Sequence, residues 1–441
     1  MSPVDRRRFL QAASVGAFGA VAAGWQSALA SRLAQERKSR HVILLWMVGG
    51  PAQTDTFDMK PGHPNGGEFK EIQTATPGLR FSEHLPKLAA MSDKLAILRG
   101  LSTKEGDHGR GTYLMRTGHQ PMGPVQFPSI GSSLSKQLAD EEADMPSYVS
   151  ISPFRQFNQA AYGPGFLGPK FAPLMVGDFN SLPPTSQEGF AELRVDDLNP
   201  PSGVTAAQVQ ARQRIWARME EKFVAERPSA ATIAHQTVYQ RAIRLMQSSA
   251  AECFDLTKEP DGVREAYGKG RFGQGCLMAR RLIEKGVSFV EISLGSPADV
   301  GTIGWDTHQN NFEQVKRLSA ELDAGWSMLM KDLEERGLLE STTILWMGEF
   351  GRTPRINPQG GRDHFPAAWT TVLAGGGIKG GQAFGKTDEG GEEVVEGKID
   401  VPDLLATLCK AAGVDPSTEN ISEVGRPIKI AEGTPVREVL A

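Results

Sequence analysis

The stretch from 342 to 365 most constrains what this chain can fold into. Residues 342–347 form an apolar run rich in β-forming side chains, with the length of a buried strand. Gly348 ends the run, and Glu349 and Arg352 follow it closely. Because ligands of open α/β sheets bind beyond the carboxyl ends of the strands, a strand that leads into charged side chains indicates a functional site. The competing interpretation is a polar loop whose charges are solvated.

Length and charge narrow the class of protein. The 441 residues are enough to bury a large core, and 39% hydrophobic with 23% charged residues is typical of a soluble globular protein. The formal net charge of -4 gives no reason to expect nucleic acid as the main partner. Cys253, Cys276 and Cys409 are too few and too widely spaced for a disulfide framework or a zinc motif, so we expect buried free thiols.

The segment 1–30 has the form of a twin-arginine signal peptide. Arg6 and Arg7 precede a weakly apolar stretch, 12–24, and residues 28–30 supply an Ala-x-Ala cleavage site. The apolar stretch is too short to span a membrane, and no later stretch is long enough to anchor the mature chain. We therefore expect export to the periplasm or secretion, with the mature protein starting directly after the cleavage site.

Two further predicted strands also lead into polar side chains. The apolar run 42–48 is followed by a Gly-Gly turn and then by Asp55, which suits a metal ligand and a helix N-cap about equally well. His108 lies between a strand predicted over 95–99 and a helix predicted over 110–116. A reacting group at such a position would face the crevice, although a histidine in a loop is usually an ordinary solvated residue.

A carboxylate and an imidazole follow the next strand. A helix predicted over 272–285 leads into a strand over 287–292, which is a helix–strand unit of an α/β sheet. Beyond this strand, Asp306 and His308 are two residues apart, so an extended backbone places them on the same side. This pair suits a divalent metal. The alternative is a hydrogen-bonded pair at the start of a helix predicted over 310–335.

The middle of the chain, around 122–260, is predicted to be an insertion. Its first part is rich in loops, and its second part has two helical segments, 205–226 and 230–254. Large apolar side chains recur at helical spacing in the first of these segments, so we expect them to face the core. They are Val209, Trp216, Met219 and Phe223.

Several motifs resemble the exported family called domain of unknown function 1501, which is grouped with the alkaline phosphatase and sulfatase superfamily. The matching pieces follow the order of the chain and cover nearly all of its mature part. They are residues 49–51 with 55–58, 304–308, 348–354 and 361–366. Residues 113–118 are similar to the end of the helix after the superfamily's nucleophile, and residues 399–408 to its late helix.

The resemblance implies an alkaline phosphatase-like α/β fold, with a mostly parallel central sheet and helices on both faces. It implies a single domain over 31–441 that contains the insertion. It also implies a divalent metal, such as Zn, Ca, Mg or Mn, held at the carboxyl ends of the strands. The metal ligands that it suggests are Asp55, Asp306, His308, Glu349 and His364.

The main hypothesis is then a metal-dependent hydrolase of a sulfate or phosphate ester, with an anionic ester or a sulfated polysaccharide as substrate. His108 stands at the position of the superfamily's nucleophile and would act as nucleophile or general base, since an imidazole titrates near neutrality. Arg352 would hold an anionic ester oxygen through its planar guanidinium. The alternative is a non-catalytic sulfatase-like protein that binds a polysaccharide or a partner protein. A structural export protein without any site is the third possibility.

Overall fold

The protein is built on a sheet of eight strands, seen in a computed structural model that describes residues 41–140, 143–177, 189–295 and 303–441. The signal peptide predicted for residues 1–30 lies outside the described residues. Labelled in chain order, the strands are β1 His41–Met47, β2 Leu95–Leu101, β3 Tyr148–Ile151, β4 Leu174–Val176, β5 Phe289–Leu294, β6 Thr342–Gly348, β7 Trp369–Gly375 and β8 Gln382–Phe384.

The strand order is β8-β2-β7-β6-β1-β5-β3-β4. Strand β7 is antiparallel to both of its neighbours, and every other pairing in this sheet is parallel. At the centre, Val42 of β1 lies opposite Phe289 of β5 and Thr343 of β6. This arrangement confirms the predicted α/β class with a mostly parallel sheet. It also brings the carboxyl ends of all strands except β7 to one edge, where the charged motifs follow them.

Both faces of the sheet are covered, because the side chains of its strands alternate between two apolar cores. In β1, Ile43 and Leu45 enter one core, whereas Leu44 and Trp46 enter the other. The helices are α1 Pro86–Ala90, α2 His108–Thr117, α3 Ile130–Leu138, α4 Ala206–Glu226, α5 Ala230–Gln247, α6 Asp261–Tyr267, α7 Arg271–Glu284, α8 Asn311–Glu335 and α9 Val401–Ala411. Helices α1, α7 and α8 contribute to the first core, and α2, α3 and α9 contribute to the second.

Short antiparallel strand pairs lie outside the central sheet. One of them joins Gly351–Arg352 to His364–Phe365, two parts of the segment that follows β6. The others are Glu71–Gln73 with Arg80–Ser82, Lys386–Thr387 with Val394–Glu396, and Glu419–Ile421 with Pro427–Lys429. The pair formed by Gly351–Arg352 and His364–Phe365 holds His364 next to the end of β6, where the candidate site lies.

Most of the predicted elements are present with small shifts of their ends. The strand predicted over 342–347 is one residue shorter than β6. The sequence does not predict α3, β4 or β8. Strands β4 and β8 have three residues each, which is too short for a period to be visible, and α3 is rich in serine.

The prediction that the apolar residues of α4 face the core is wrong for two of them. Met219 is 68% exposed and Phe223 is 44% exposed. Trp216 does find a partner, because it stacks on Tyr239 of α5 with ring centroids 5.3 Å apart. Helical spacing shows which residues share a face, but it does not show what that face meets.

The three cysteines are free and buried, as predicted. Burial raises the pKa of Cys253 to about 11 and that of Cys409 to about 12. Burial also raises the pKa of Cys276 well above its ordinary value. All three groups are therefore protonated thiols near neutral pH, and they are poor nucleophiles and poor metal ligands.

A buried ion pair joins α2 to the middle of the sheet. Arg116 of α2 donates to the carboxylate of Glu291 in β5, and both side chains are almost completely inaccessible. Tyr148 donates to the same carboxylate over 2.8 Å. The Arg116 guanidinium also lies 3.7 Å from the ring centroid of Tyr162. These contacts fix the position of the helix that begins at His108.

Breaking this ion pair is expected to destabilise the protein. Glu291→Gln leaves the Arg116 charge buried without a counter-charge, which typically costs about 3–5 kcal/mol. The measurement is the free energy of unfolding from urea denaturation. Glu313→Gln is the control, because it breaks an exposed pair with Arg317 and should leave that free energy unchanged within error. Equal effects of the two variants would contradict the structural role of the buried pair.

Candidate metal centre

Three chain segments meet beyond the carboxyl ends of β2, β5 and β6. The first is the start of α2, where Asp107 caps the helix by accepting a backbone hydrogen bond and His108 is the first helical residue. The second follows β5 and carries Asp306 and His308. The third follows β6 and carries His364. The polar residues that follow three separate strands are thus brought to one place.

Two glycines let the segment with Asp306 lie against the end of β1. Gly49 has a φ of 99°, and a Cβ there would lie 2.4 Å from the amide nitrogen of Asp306. Gly304 has a φ of 58°, and its Cβ would lie 2.3 Å from the carbonyl oxygen of Val48. That carbonyl accepts a hydrogen bond from the Trp305 amide over 2.7 Å. Any side chain at either glycine would therefore push Asp306 away from the sheet.

Asp306 is the centre of the cluster. One of its oxygens, Oδ1, lies close to a ring nitrogen of each of three histidines. The distances from Oδ1 are 3.2 Å to His108 Nε2, 3.1 Å to His308 Nε2 and 3.2 Å to His364 Nε2. The Nε2 atoms of His308 and His364 are 3.1 Å apart. Four potential ligand atoms from distant parts of the chain therefore converge on one small volume.

The opposite nitrogen of each imidazole is bound to an oxygen of the protein. The contacts are His108 Nδ1 to Glu349 Oε1 at 2.7 Å, His308 Nδ1 to Asp363 Oδ1 at 2.8 Å and His364 Nδ1 to the Gly106 carbonyl at 2.7 Å. A carboxylate or carbonyl oxygen accepts a hydrogen bond, so each Nδ1 acts as the donor. In the neutral ring, Nε2 then carries the free lone pair and faces the cluster. Histidines that bind metals are oriented in the same way.

The donor atoms of this cluster are of the types that suit a transition-metal ion such as Zn²⁺. Zinc binds imidazole nitrogens and carboxylate oxygens, usually as a tetrahedron of about 2.0–2.2 Å radius whose edges are about 3.3 Å long. Four of the six separations among these atoms are close to that edge, at 3.1 to 3.2 Å. The Nε2 atom of His108 is also buried without a hydrogen-bond partner of acceptable geometry. Its neighbour Asp306 Oδ1 lies 3.2 Å away, and a cation would bind both atoms.

Asp306 is held in its charged form. Burial raises the pKa of this carboxyl, but the two adjacent imidazoles of His108 and His364 and the guanidinium of Arg352 lower it by more. The pKa therefore lies well below the usual range of an aspartate. Arg352 Nη2 donates to Asp306 Oδ1 over 2.5 Å. A carboxylate must be ionised to bind a metal, so the protein prepares Asp306 for that role.

His108 is enclosed more tightly than the other two histidines of the cluster. Its ring stacks on Phe157 with centroids 4.1 Å apart, and the ring of Phe350 lies 5.0 Å away. Burial lowers the pKa of His108, yet the adjacent carboxylates of Asp306 and Glu349 outweigh burial and raise it to about 9. In the metal-free protein this imidazole is therefore positively charged, and it balances the carboxylates on both of its sides.

The structure does not place Arg352 where a substrate could reach it. Its side chain is completely buried and donates to the carbonyl oxygens of Gly49, Gly50 and Arg362 as well as to Asp306. Each of these contacts lies within the protein. Arg352 therefore fixes the loop after β1 and the carboxylate of Asp306, instead of lying open to an ester oxygen as the sequence suggested.

Asp55 is not brought into the cluster. Both of its oxygens accept hydrogen bonds from Arg362, over 2.8 and 2.7 Å, and Asn311 donates to one of them over 2.7 Å. All three side chains are completely buried. This ion pair anchors the segment that carries His364 against the loop after β1. The geometry thus uses Asp55 to position a candidate ligand and not as a ligand.

Glu349, which is itself one of the predicted metal ligands, lies beside the cluster and contacts the imidazole of His108. Its Oε1 accepts hydrogen bonds from His108 Nδ1 over 2.7 Å and from the Gly49 amide over 2.9 Å. This contact orients the imidazole of His108 from the side away from Asp306. In the structure Glu349 therefore orients a candidate ligand, and its role as a ligand stays a prediction.

Sequence reasoning singled out Asp363 and Glu349 but gave no role to two other groups that hold the ligands in place, Arg362 and the carbonyl of Gly106. Arg362 and Asp363 directly precede His364 in the chain, and this concentration of charge was the signal that could have identified Arg362. Asp363 also accepts a hydrogen bond from Asn357 over 3.3 Å. The carbonyl of Gly106 has no sequence signal, because every residue carries a carbonyl.

These features define the class of protein. It is an α/β protein with a mostly parallel sheet and a candidate metal centre at the carboxyl edge, where ligand atoms of His108, Asp306 and His364 all lie within 4.8 Å of one another and His308 lies beside them. The chain belongs to the family described as protein of unknown function (DUF1501), which matches residues 39–440. This match confirms the family resemblance seen in the motifs. No curated protein matches the sequence.

Solved structures similar to this chain include a sulfatase, a lipoteichoic acid synthase and an alkaline phosphatase. The PsFucS1 sulfatase from Pseudoalteromonas sp. has 13% identity and a TM-score of 0.39, covering 88% of this chain and 70% of that one. The lipoteichoic acid synthase LtaP from Listeria monocytogenes has 10% identity and a TM-score of 0.41, covering 92% and 76%. The alkaline phosphatase from the Antarctic bacterium TAB5 has 12% identity and a TM-score of 0.38, covering 85% and 99%. We base no argument about mechanism on similarities of this size.

Metal binding is expected to release a proton and to weaken as the pH falls. Since the pKa of His108 is raised to about 9, its imidazole is protonated at neutral pH and must lose a proton before Nε2 can bind a cation. The apparent affinity for Zn²⁺ should therefore rise with pH up to about pH 9, approaching about tenfold per pH unit. Competition titrations against a chromophoric chelator of known proton affinity measure this slope. An affinity that does not change with pH would contradict the arrangement.

Two aspartate variants separate a ligand from a residue that positions one. Asp306→Asn should lower the affinity for Zn²⁺ by about 100-fold or more, because it removes a charged ligand. Asp55→Asn should lower that affinity less than Asp306→Asn does, and it should lower the melting temperature at the same time, because it weakens the completely buried ion pair that positions the segment with His364. Zinc titration and thermal denaturation of both variants provide the two measurements. Loss of zinc affinity in Asp55→Asn without a change in stability would show that the structural assignment is wrong.

Proposed function

We propose that this protein is a metal-dependent hydrolase of a sulfate or phosphate ester. The observation that carries the proposal is the convergence of His108, Asp306, His308 and His364, with every Nδ1 bound to a protein oxygen. Three imidazoles and one carboxylate form a donor set suited to Zn²⁺ and related transition metals. This donor set makes Zn²⁺ our preferred candidate among the divalent ions considered from the sequence.

In this proposal some residues bind the metal ion and others orient the residues that bind it. The four ligand side chains hold the ion, while Glu349 and Asp363 fix the tautomer and orientation of two of the imidazoles. When bound, a divalent metal polarises an ester oxygen and lowers the pKa of water. His308 is 44% exposed at its side chain and Asp363 is 55% exposed, so solvent reaches the cluster from this side. We propose that the ester enters there, because His108 and Arg352 are covered by the protein.

The ester class rests on sequence motifs. Residues 113–118 and 399–408 resemble two helices of the sulfatase and alkaline phosphatase superfamily. In the structure, the first motif is the end of α2, where Gly118 closes the helix with a φ of 76°. The second motif includes the start of α9, where the Asp400 side chain accepts a hydrogen bond from the Asp403 amide. These helices cover the same face of the sheet, and α2 begins at a candidate ligand.

We further propose that the protein works outside the cytoplasm. Residues 1–30 have the twin-arginine form, which is a route for proteins that fold before export. After cleavage, we propose a single domain over 31–441 that contains the insertion around 122–260. Among the described residues, the structure has no helix that is both long and apolar enough to cross a membrane. An anionic ester or a sulfated polysaccharide outside the cell would be the substrate.

The proposal predicts that the mature protein binds a metal in stoichiometric amounts and cleaves an ester. Elemental analysis and assays with aryl sulfates and aryl phosphates, after loading with Zn²⁺, Mn²⁺, Mg²⁺ or Ca²⁺, test both parts. His364→Ala should lower the metal content and abolish turnover. His63→Ala is the matched control, because its imidazole caps a turn outside the cluster and should leave both quantities unchanged. A protein without bound metal and without turnover would refute the proposal.

One observation favours a non-catalytic protein as the second candidate. The imidazole of His108, which stands at the position of the nucleophile in the motifs, is held between Glu349 and Asp306. A ring fixed on both sides is suited to binding a metal and not to attacking an ester. This alternative would be supported if the protein binds a metal and a sulfated polysaccharide but cleaves neither sulfate esters nor phosphate esters.

A further inference from the structure

Helices α4 and α5 project a large share of the exposed apolar side chains of the protein. Twelve large hydrophobic side chains are exposed among the described residues, and seven of them lie between 206 and 247. They are Ile215, Met219, Phe223, Ile233, Val238, Tyr239 and Met246. In α4, which has 21 residues, only Glu220 is buried. Such a helix gains little from packing within its own chain, although packing normally stabilises helices in proteins.

The outer face of α4 has a symmetric sequence pattern centred on Met219. Ile215 lies four residues before Met219 and Phe223 lies four residues after it. Arg212 lies seven residues before it and Glu226 seven residues after it. At about 100° per residue, all five side chains fall within an arc of about 80°. The pattern is therefore apolar at equal distances on both sides of Met219. Its two ends carry opposite charges, with Arg212 at one end and Glu226 at the other.

This face is distinct from the side of α4 that meets α5. The contacts to α5 include Trp216, which stacks on Tyr239, Glu220, which lies 3.3 Å from His235, and Gln213, which accepts a hydrogen bond from Gln247 over 2.9 Å. On the helical wheel these three side chains lie about 60–120° to one side of Met219. The side chain of Met219 is 68% exposed, and it is the most exposed of the apolar residues on this face.

We propose that this face of α4 binds the same face of a second copy of the chain, with the two helices antiparallel around a two-fold axis at Met219. In this register Ile215 of each copy meets Phe223 of the other, and the two copies of Met219 meet at the axis. Arg212 of each copy then meets Glu226 of the other. An isologous interface requires a surface that is complementary to itself, and this charge pattern has that property.

The charge pattern selects the antiparallel orientation. In a parallel pair, Arg212 would meet Arg212 and Glu226 would meet Glu226, so that like charges would face each other. Within one chain, Glu226 has only exposed contacts with Lys222 at 3.7 Å and Arg227 at 3.5 Å. Such exposed pairs contribute little, so Glu226 can exchange them for an arginine of a second copy at little cost.

The first test is the oligomeric state of the mature protein by analytical ultracentrifugation. We expect a monomer–dimer equilibrium. Met219→Glu should raise the dimer dissociation constant at least about tenfold, because it places two like charges at the axis. Gln210→Glu is the matched control, because it adds the same charge to the opposite side of the helix and should leave the dissociation constant unchanged. A wild-type protein that stays monomeric at high concentration overturns the proposal.

The second test exchanges the charges. Arg212→Glu should weaken the dimer by placing two pairs of acidic residues face to face, and the double variant Arg212→Glu with Glu226→Arg should restore it. Arg214→Glu makes the same charge change about 140° away on the helix and should have no effect. A double variant that is no tighter than the single variant overturns the proposed register.

The third test is a covalent link across the axis. Because the three native cysteines are buried, Met219→Cys adds one accessible thiol, which should form a disulfide-linked dimer on mild oxidation. Gln210→Cys should remain monomeric under the same conditions. Circular dichroism of all variants shows whether α4 has stayed folded. If dimers form but Met219→Cys does not link them, another surface is used and the proposal is wrong.

Discussion

The carboxylate of Asp306 is the point on which the geometry of the candidate site depends. A single oxygen of this residue lies within 3.2 Å of three imidazole nitrogens, and it also accepts a hydrogen bond from Arg352. Without the negative charge, a completely buried guanidinium would lose its counter-charge, and His108 would lose one of the two carboxylates that keep it protonated. Even without a bound cation, the charge of Asp306 therefore holds together the segments that carry His108, His308 and His364.

The other charged residues at the edge of the sheet hold those loops in register. Asp55 and Arg362 form a completely buried pair that ties the segment after β6 to the loop after β1. Arg352 ties the same two regions through backbone carbonyls. Buried ion pairs gain little net stability, because desolvation offsets most of the attraction, but removing one partner is costly. Their use here is best understood as fixing position, since four ligand atoms must meet with separations close to 3 Å.

The sequence predicted the sheet and the location of the site better than the tasks of individual residues. Apolar runs bounded by glycine identified the central strands, because a strand buried on both faces has a continuous hydrophobic signal. Asp306, His308 and His364 were predicted as metal ligands from their places after strands and from the family resemblance, and the structure brings their side chains together. The tasks of Asp55 and Glu349 could not be read from the sequence, because a carboxylate that binds a metal and one that binds an arginine or a histidine have the same local signature. Only the distances separate the two cases.

The same limit explains the misassignment of α4, and it points to an interface. A stripe of large apolar side chains is expected to be buried, and periodicity cannot distinguish burial within one chain from burial between two chains. Charge at the ends of the stripe provides the missing information, because an internal face has no need of opposite charges placed symmetrically about its centre. In α4, Arg212 and Glu226 have that symmetry around Met219. Since α4 buries only Glu220, the sheet and its cluster do not depend on this helix for their packing, and the interface can be altered without disturbing the candidate metal centre.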